Sequence, residues 1–252
     1  IAELGVEAVA VGVDSPEQYE MAMDSGCMYF EGDFFRKPVL GPGRTVVSNQ
    51  LNYMRILCEV NKVELDYDEL DALIKQDIAM TYKLLRFINS AWYGLRNRVD
   101  SIRHALILLG PAEVRVWASL LVLREAGSEK PDELFRRSLT RAQVAEQLAP
   151  LVGLEHHASE LFLMGMFSMV DALTDVPMER VLEGLPLNKE IKAALLGEGG
   201  EFRKVYDLII SYELGHWGEF ERAAGDLEVS EETVPGLFRK SDEWAADALA
   251  AM

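Results

Sequence analysis

Residues 84–110 read LLRFINSAWYGLRNRVDSIRHALILLG, and the fold turns on this stretch. Leu84, Leu85 and Ile88 recur at the three- and four-residue spacing that lines one side of a helix, so a helix is expected over 78–90 with that side inward. Trp92-Tyr93-Gly94 closes it, and a basic corner follows at Arg96 and Arg98. Ser101 to Leu109 has the pattern of a second helix, stopped by Gly110. Pro111 sits where a first-turn proline is tolerated and opens a third helix through Val122.

The same periodicity continues downstream. Helices are expected at 66–76, 132–151, 155–173, 189–196, 201–214, 217–224 and 230–250, with no strand beyond residue 44. The predicted architecture is therefore mainly α, a bundle of roughly ten helices. Upstream the pattern differs. Glu7 to Val13 (EAVAVGV) is small and β-branched, the composition of a buried parallel strand. Ser15 and Pro16 then supply a helix start, and the helix stops near Gly26. A second strand, Met28 to Phe35, ends at Lys37-Pro38. One βαβ unit cannot stand as a sheet by itself, so these residues are expected to belong to a larger domain. Gly41-Pro42-Gly43 marks the boundary. The chain thus divides into 1–38, a linker at 39–44, and a helical domain over 45–252.

The 252 residues are 49% hydrophobic and 27% charged, values ordinary for a globular protein. The net charge of −17 argues against nucleic acid as a partner, because a phosphate backbone is neutralised by Lys and Arg. The charge is uneven: residues 1–82 balance at −9, residues 83–141 at +5 and residues 142–252 at −13. The central basic segment suits either an acidic partner or internal ion pairs. Cys27 and Cys58 have no metal-ligand spacing and read as buried thiols. The apolar run at Trp117 to Leu123 is too short to cross a bilayer, and no signal segment opens the chain, so a cytoplasmic location without membrane contact is expected.

The stretch quoted above resembles the motif of HDOD domains, in which Asn89-Ser90, Gly94, Ser101-Ile102, Ala105 and Leu109-Gly110 match fixed polar, glycine and apolar positions. The resemblance extends more loosely over residues 44–245 and implies an HD-like helical bundle. The first forty residues resemble the end of an EAL domain, a barrel phosphodiesterase of cyclic di-GMP. The match there is carried by Ala10 to Ser15, by Gly26-Cys27 and by Lys37-Pro38. The two pieces in this order are similar to bacterial EAL–HDOD signalling proteins.

The resemblance also says where catalytic groups would stand. EAL chemistry uses carboxylates that hold divalent metals, and Val11 occupies the place of one of them; a valine offers no lone pair to a hard cation. Asp14 keeps an acid at a second such position, although an acid beside a helix start has its own reason to be there. HD hydrolases use one His, then an adjacent His-Asp pair. These positions fall on Arg141, Ser168 and Met169. None of the three replaces an imidazole or carboxylate, and a guanidinium repels a metal. The implied site is vacated, with no metal and no cofactor.

Other residues offer little chemistry. His156 and His157 are adjacent, so they diverge by about 100° on a helix and read as solvated. His104 reads as partly exposed, and His216-Trp217 as a turn with a packed indole. Asp171 is the one acid in the apolar run Leu161 to Leu173, where a hydrogen bond to a helix end is expected. Met164, Met166 and Met169 read as core. The candidate binding residues are Asn89, Trp92, Tyr93, Arg96, Arg98 and Arg103, where guanidiniums beside aromatic rings suit a phosphate, a base or a protein partner. The expected function is a non-catalytic regulatory module, not an enzyme, acting on an unknown signalling protein. The alternatives are cyclic di-GMP phosphodiesterase activity, or cyclic dinucleotide binding, in the complete EAL domain, and an atypical HD phosphohydrolase.

Overall fold

A computed structural model of the chain describes residues 7–32, 56, 59–60, 65–76, 78–89, 99–126, 130–185 and 187–251. Strands β1 (Val9–Val11) and β2 (Tyr29–Glu31) pair in parallel, with Val9 opposite Tyr29 and Val11 opposite Glu31. Helix α1 (Pro16–Asp24) crosses between them, its N-terminus capped by the Ser15 hydroxyl, which accepts from the Gln18 N–H at 3.3 Å. Tyr19 packs on Phe30 with ring centroids 4.7 Å apart. The expectation of buried strands is corrected here. Both strands have three residues, and Val11 is 70% exposed. Among the described residues the sheet has two strands, with α1 over the side bearing Ala10 and Phe30, which leaves Val9, Val11 and Tyr29 open on the other.

The remainder is helical, with twelve α-helices among the described residues. Helices α2 (Tyr67–Lys75) and α3 (Ile78–Ile88) pack on the long α4 (Ile102–Ala126). Asp66 caps α2 by accepting from the N–H groups of Asp68 and Glu69, both at 3.0 Å. Within α4, Gly110 has φ 76° and ψ 170°, so the stretch is two helices meeting at a kink, as Gly110-Pro111 leads one to expect. Residues 102–121 are long and apolar enough by composition to cross a membrane, but half of that window is buried in the bundle and the kink divides it.

Helix α5 (Asp132–Leu148) is the bundle's axis, packed along α6 (Ala158–Phe167) and α12 (Val234–Ala251). Around them lie α7 (Val170–Thr174), α8 (Met178–Gly184), α9 (Lys189–Leu195), α10 (Glu201–Leu214) and α11 (Trp217–Asp226). Two helices and one unexpected element depart most from the sequence pattern. The helix expected over 132–151 tightens into a 3₁₀ turn at Ala149–Leu151, where Pro150 has no N–H to continue the α ladder. The helix expected over 155–173 is instead a 3₁₀ turn followed by α6 and α7, with a break at Ser168–Met169. Helix α8 is not anticipated by the periodicity at all. The core includes Leu70, Ile74, Leu84, Ile88, Leu106, Trp117, Leu121 and Phe167, each within 2% of complete burial.

Candidate functional site

Two of the three positions at which HD ligands were expected are bonded to each other. Arg141 lies on the inner side of α5 and is 6% exposed. Its Nη1 donates to Ser168 Oγ at 3.0 Å, in the break between α6 and α7. Its Nε and Nη2 donate to Glu213 Oε2 and Oε1 at 2.6 and 3.1 Å, a bidentate pair with the end of α10. Glu213 Oε1 also accepts from Arg137 Nη1 at 2.9 Å. Ser168 in turn donates to the Gly165 carbonyl at 2.6 Å, closing the last turn of α6. Met169 is buried beside this centre as the residue before α7.

Close helix packing allows the arrangement. A Cβ on Gly165 would lie 2.5 Å from Ala142 Cα and 2.6 Å from the Arg141 carbonyl carbon, so only glycine lets α6 approach α5 this closely. Burial works against the Arg141 charge, but the charge and hydrogen bonds of Glu213 outweigh it and hold the guanidinium above the usual arginine pKa. Asp171 faces the same centre. Burial pushes its carboxyl up, against a hydrogen bond from the Ala172 N–H at 2.8 Å and the pull of Arg141. Burial likewise raises the Tyr206 phenol on α10, with Arg141 and Arg203 pulling the other way.

A divalent metal does not suit these groups. A fixed cation, a hydroxyl and a thioether occupy the three positions, and among the described residues no three His, Cys, Asp or Glu side chains converge on one point.

The other candidates do not form one site among the described residues. Asn89 is committed to the backbone: its amide donates to Leu85 O at 2.7 Å and Val99 O at 2.8 Å, and its Oδ1 accepts from Val99 N at 2.8 Å. It clamps the end of α3 to the chain entering α4. Arg103 is exposed and pairs with Asp68 at 2.8 Å, which lowers the Asp68 pKa through that hydrogen bond and the Arg103 charge. Trp92, Tyr93, Arg96 and Arg98 lie outside the described residues, as does Cys58. Cys27 is free and half-buried, not buried as expected. His104, His156 and His157 are exposed, and Met164 and Met166 are fully buried. The Trp217 indole is 59% exposed, contrary to a packed ring, though its edge meets Tyr212 and Phe220. Glu213 and Arg137 were not anticipated. Their signal is that a buried arginine requires a carboxylate, and Glu213 follows Ile209 by one helical turn on the apolar side of α10.

Residues 49–176 match the HDOD domain model, and the chain belongs to the HDOD family. It is similar to the cyclic di-GMP phosphodiesterase CdgJ of Vibrio cholerae, with 34% identity over 239 residues, 95% of this chain and 55% of that protein. It is also similar to the uncharacterized protein YuxH of Bacillus subtilis, with 28% identity over 230 residues, 90% of this chain and 56% of that protein. The chain spans about half the length of these relatives. A solved structure from Shewanella amazonensis SB2B, 19% identical, aligns over 78% of this chain and 75% of its own at a TM-score of 0.38. The expectation that the chain is not an enzyme is corrected by the first of these matches: a relative aligned over nearly all of it is named a phosphodiesterase. That expectation rested on the replaced HD positions Arg141, Ser168 and Met169 and on Val11 in the EAL-like segment, and one replaced carboxylate does not by itself remove the chemistry of a separate domain.

Proposed function

We propose that this chain is part of a cyclic di-GMP phosphodiesterase whose hydrolytic centre belongs to a complete EAL domain, with the HDOD bundle as its companion. The match to CdgJ carries this reading, because at 95% of the chain it runs through the βαβ unit as well as the bundle. The open sheet supports it too. Val9, Val11 and Tyr29 on the strands and Met21 on α1 are each more than half exposed, as expected of a segment that further strands and helices would cover in a barrel. Val11 then marks one lost carboxylate in that domain, and Asp14 one that is retained. Within the bundle, the Arg141–Glu213 pair supports placing hydrolysis in the barrel.

The test is an assay of the longer protein on cyclic di-GMP with Mg²⁺ or Mn²⁺. Conversion to the linear dinucleotide by the longer protein, and none by residues 1–252 alone, is the expected result. No turnover by the longer protein under either metal defeats the proposal.

A further inference from the structure

In the parallel register of the βαβ unit, Val11 stands opposite Glu31, and the two are the C-terminal residues of β1 and β2. Register partners on neighbouring strands lie about 4.8 Å apart and point to the same side of the sheet. Helix α1 covers the other side, where Tyr19 packs on Phe30, so Val11 and Glu31 share the uncovered one, and both are exposed. In a β/α barrel the helices form the outer ring, the opposite side of each strand faces inward, and catalytic groups stand at the C-terminal strand ends. Completed as a barrel, the unit would therefore present Glu31 beside the position at which Val11 leaves a carboxylate missing.

We propose that Glu31 supplies from β2 the carboxylate that Val11 lacks on β1, and holds a divalent cation in the hydrolytic site of the complete domain. This assignment rests on the phosphodiesterase reading above and names one ligand of that same site. Carboxylate oxygens are the donors that Mg²⁺ and Mn²⁺ take. A glutamate carries its carboxylate on two methylenes, enough to reach across one strand spacing toward the place above Val11. The backbone at Glu31 is pinned: its carbonyl accepts from the Val13 N–H at 2.9 Å, and a Cβ on Gly32 would collide with the Val13 carbonyl oxygen. These contacts tie the end of β2 to the turn that carries Asp14, the acid retained at a second ligand position. Two carboxylates at one strand end suit a divalent cation, whose remaining donors the other strands of the complete domain would supply. Among the described residues the Glu31 carboxylate has no ion-pair or hydrogen-bond partner. Turned into a barrel interior, it needs a cation beside it.

Titration of the longer protein with Mn²⁺, followed by electron paramagnetic resonance of the free ion, tests this without reference to turnover. The parent is expected to bind Mn²⁺ stoichiometrically, and Glu31→Gln to weaken that binding by roughly tenfold or more. The exchange of Val11→Glu with Glu31→Gln should recover most of the loss, because the carboxylate then reaches the same ion from the neighbouring strand. Glu20→Gln, the same loss of charge on α1 at the outer side, should bind like the parent. The proposal is overturned if the parent binds no Mn²⁺, if Glu31→Gln binds like the parent, or if the exchange variant binds no better than Glu31→Gln alone. Hydrolysis of cyclic di-GMP is scored separately. Turnover by the parent with Mn²⁺ binding indifferent to Glu31 removes this assignment alone. Glu31-dependent binding without turnover by the parent removes the phosphodiesterase reading alone.

Discussion

Arg141 donates to Ser168 across 27 residues of sequence, Nη1 to Oγ at 3.0 Å, and so ties α5 to the break between α6 and α7. The other edge of the same guanidinium holds Glu213, 72 residues away on α10. One cation therefore joins three parts of the bundle. Burying it costs several kcal/mol of hydration, offset only because its partners satisfy it on both edges.

Removing one member of the pair leaves the other charged and buried. Arg141→Ala should cost about 3–5 kcal/mol. Arg137 keeps a hold on Glu213, which favours the lower end. The double change Arg141→Met with Glu213→Leu should recover most of that loss, since apolar groups of similar volume replace a buried pair at little cost. Urea denaturation of the two variants checks this, and a double variant no more stable than the single one would contradict it.

The α5–α6 approach depends on Gly165. Gly165→Ala forces a methyl to within 2.6 Å of backbone that has no rotamer to yield, so a loss of about 1–3 kcal/mol or more is expected. Gly199→Ala, in open space, is the comparison and should stay within about 0.5 kcal/mol. Thermal unfolding of both measures the difference.

Asp171 gives the bundle a pH dependence of definite sign. Its folded pKa is raised by burial, so between the unfolded and folded values the native state binds more protons than the unfolded chain. Stability from this group is present at low pH and declines as pH rises through that window. Asp171→Asn keeps an oxygen for the Ala172 N–H and removes the titration. Its stability relative to the parent should grow from pH 4 to pH 7. A constant difference across that range would exclude Asp171 as the source.

Asn89 acts as a clamp using both ends of its amide. Asn89→Asp keeps the acceptor for Val99 N but replaces two donors with a charge facing the Leu85 and Val99 carbonyl oxygens. It should cost about 2–4 kcal/mol, at least as much as Asn89→Ala, because leaving buried carbonyls unpaired is compounded by repulsion. Chemical denaturation with far-ultraviolet circular dichroism separates the two variants.

What could be read from the sequence follows from where the signals are local. Gly110 and Pro111 announce the kink in α4, and Ser15 announces a helix start that its side chain does cap. The break at Ser168–Met169 is invisible because LFLMGMFSMVDAL is apolar on every side, so no periodicity changes where the helix stops. That break is held by Ser168 on Gly165 and by Arg141 from another helix. Arg141 could be seen as unsuited to a metal, but its true partner is a distant glutamate that only the bundle brings near. The inference from replaced ligands to a non-enzyme failed at a different level, since in the EAL-like segment it rested on Val11 alone.

Lys130 and Asp175 meet at 2.5 Å, Nζ to Oδ1, with the aspartate buried in a left-handed turn at the end of α7. The chain between them is α5, α6 and α7, so the two ends of this 45-residue excursion touch. A segment of that kind behaves topologically as an insert: it leaves the rest of the chain and returns to it through a single doorway. The arginine centre sits wholly inside this insert except for Glu213, which reaches in from α10. That carboxylate, with Asp242 of α12 holding Arg136, makes the insert answer to the C-terminal helices.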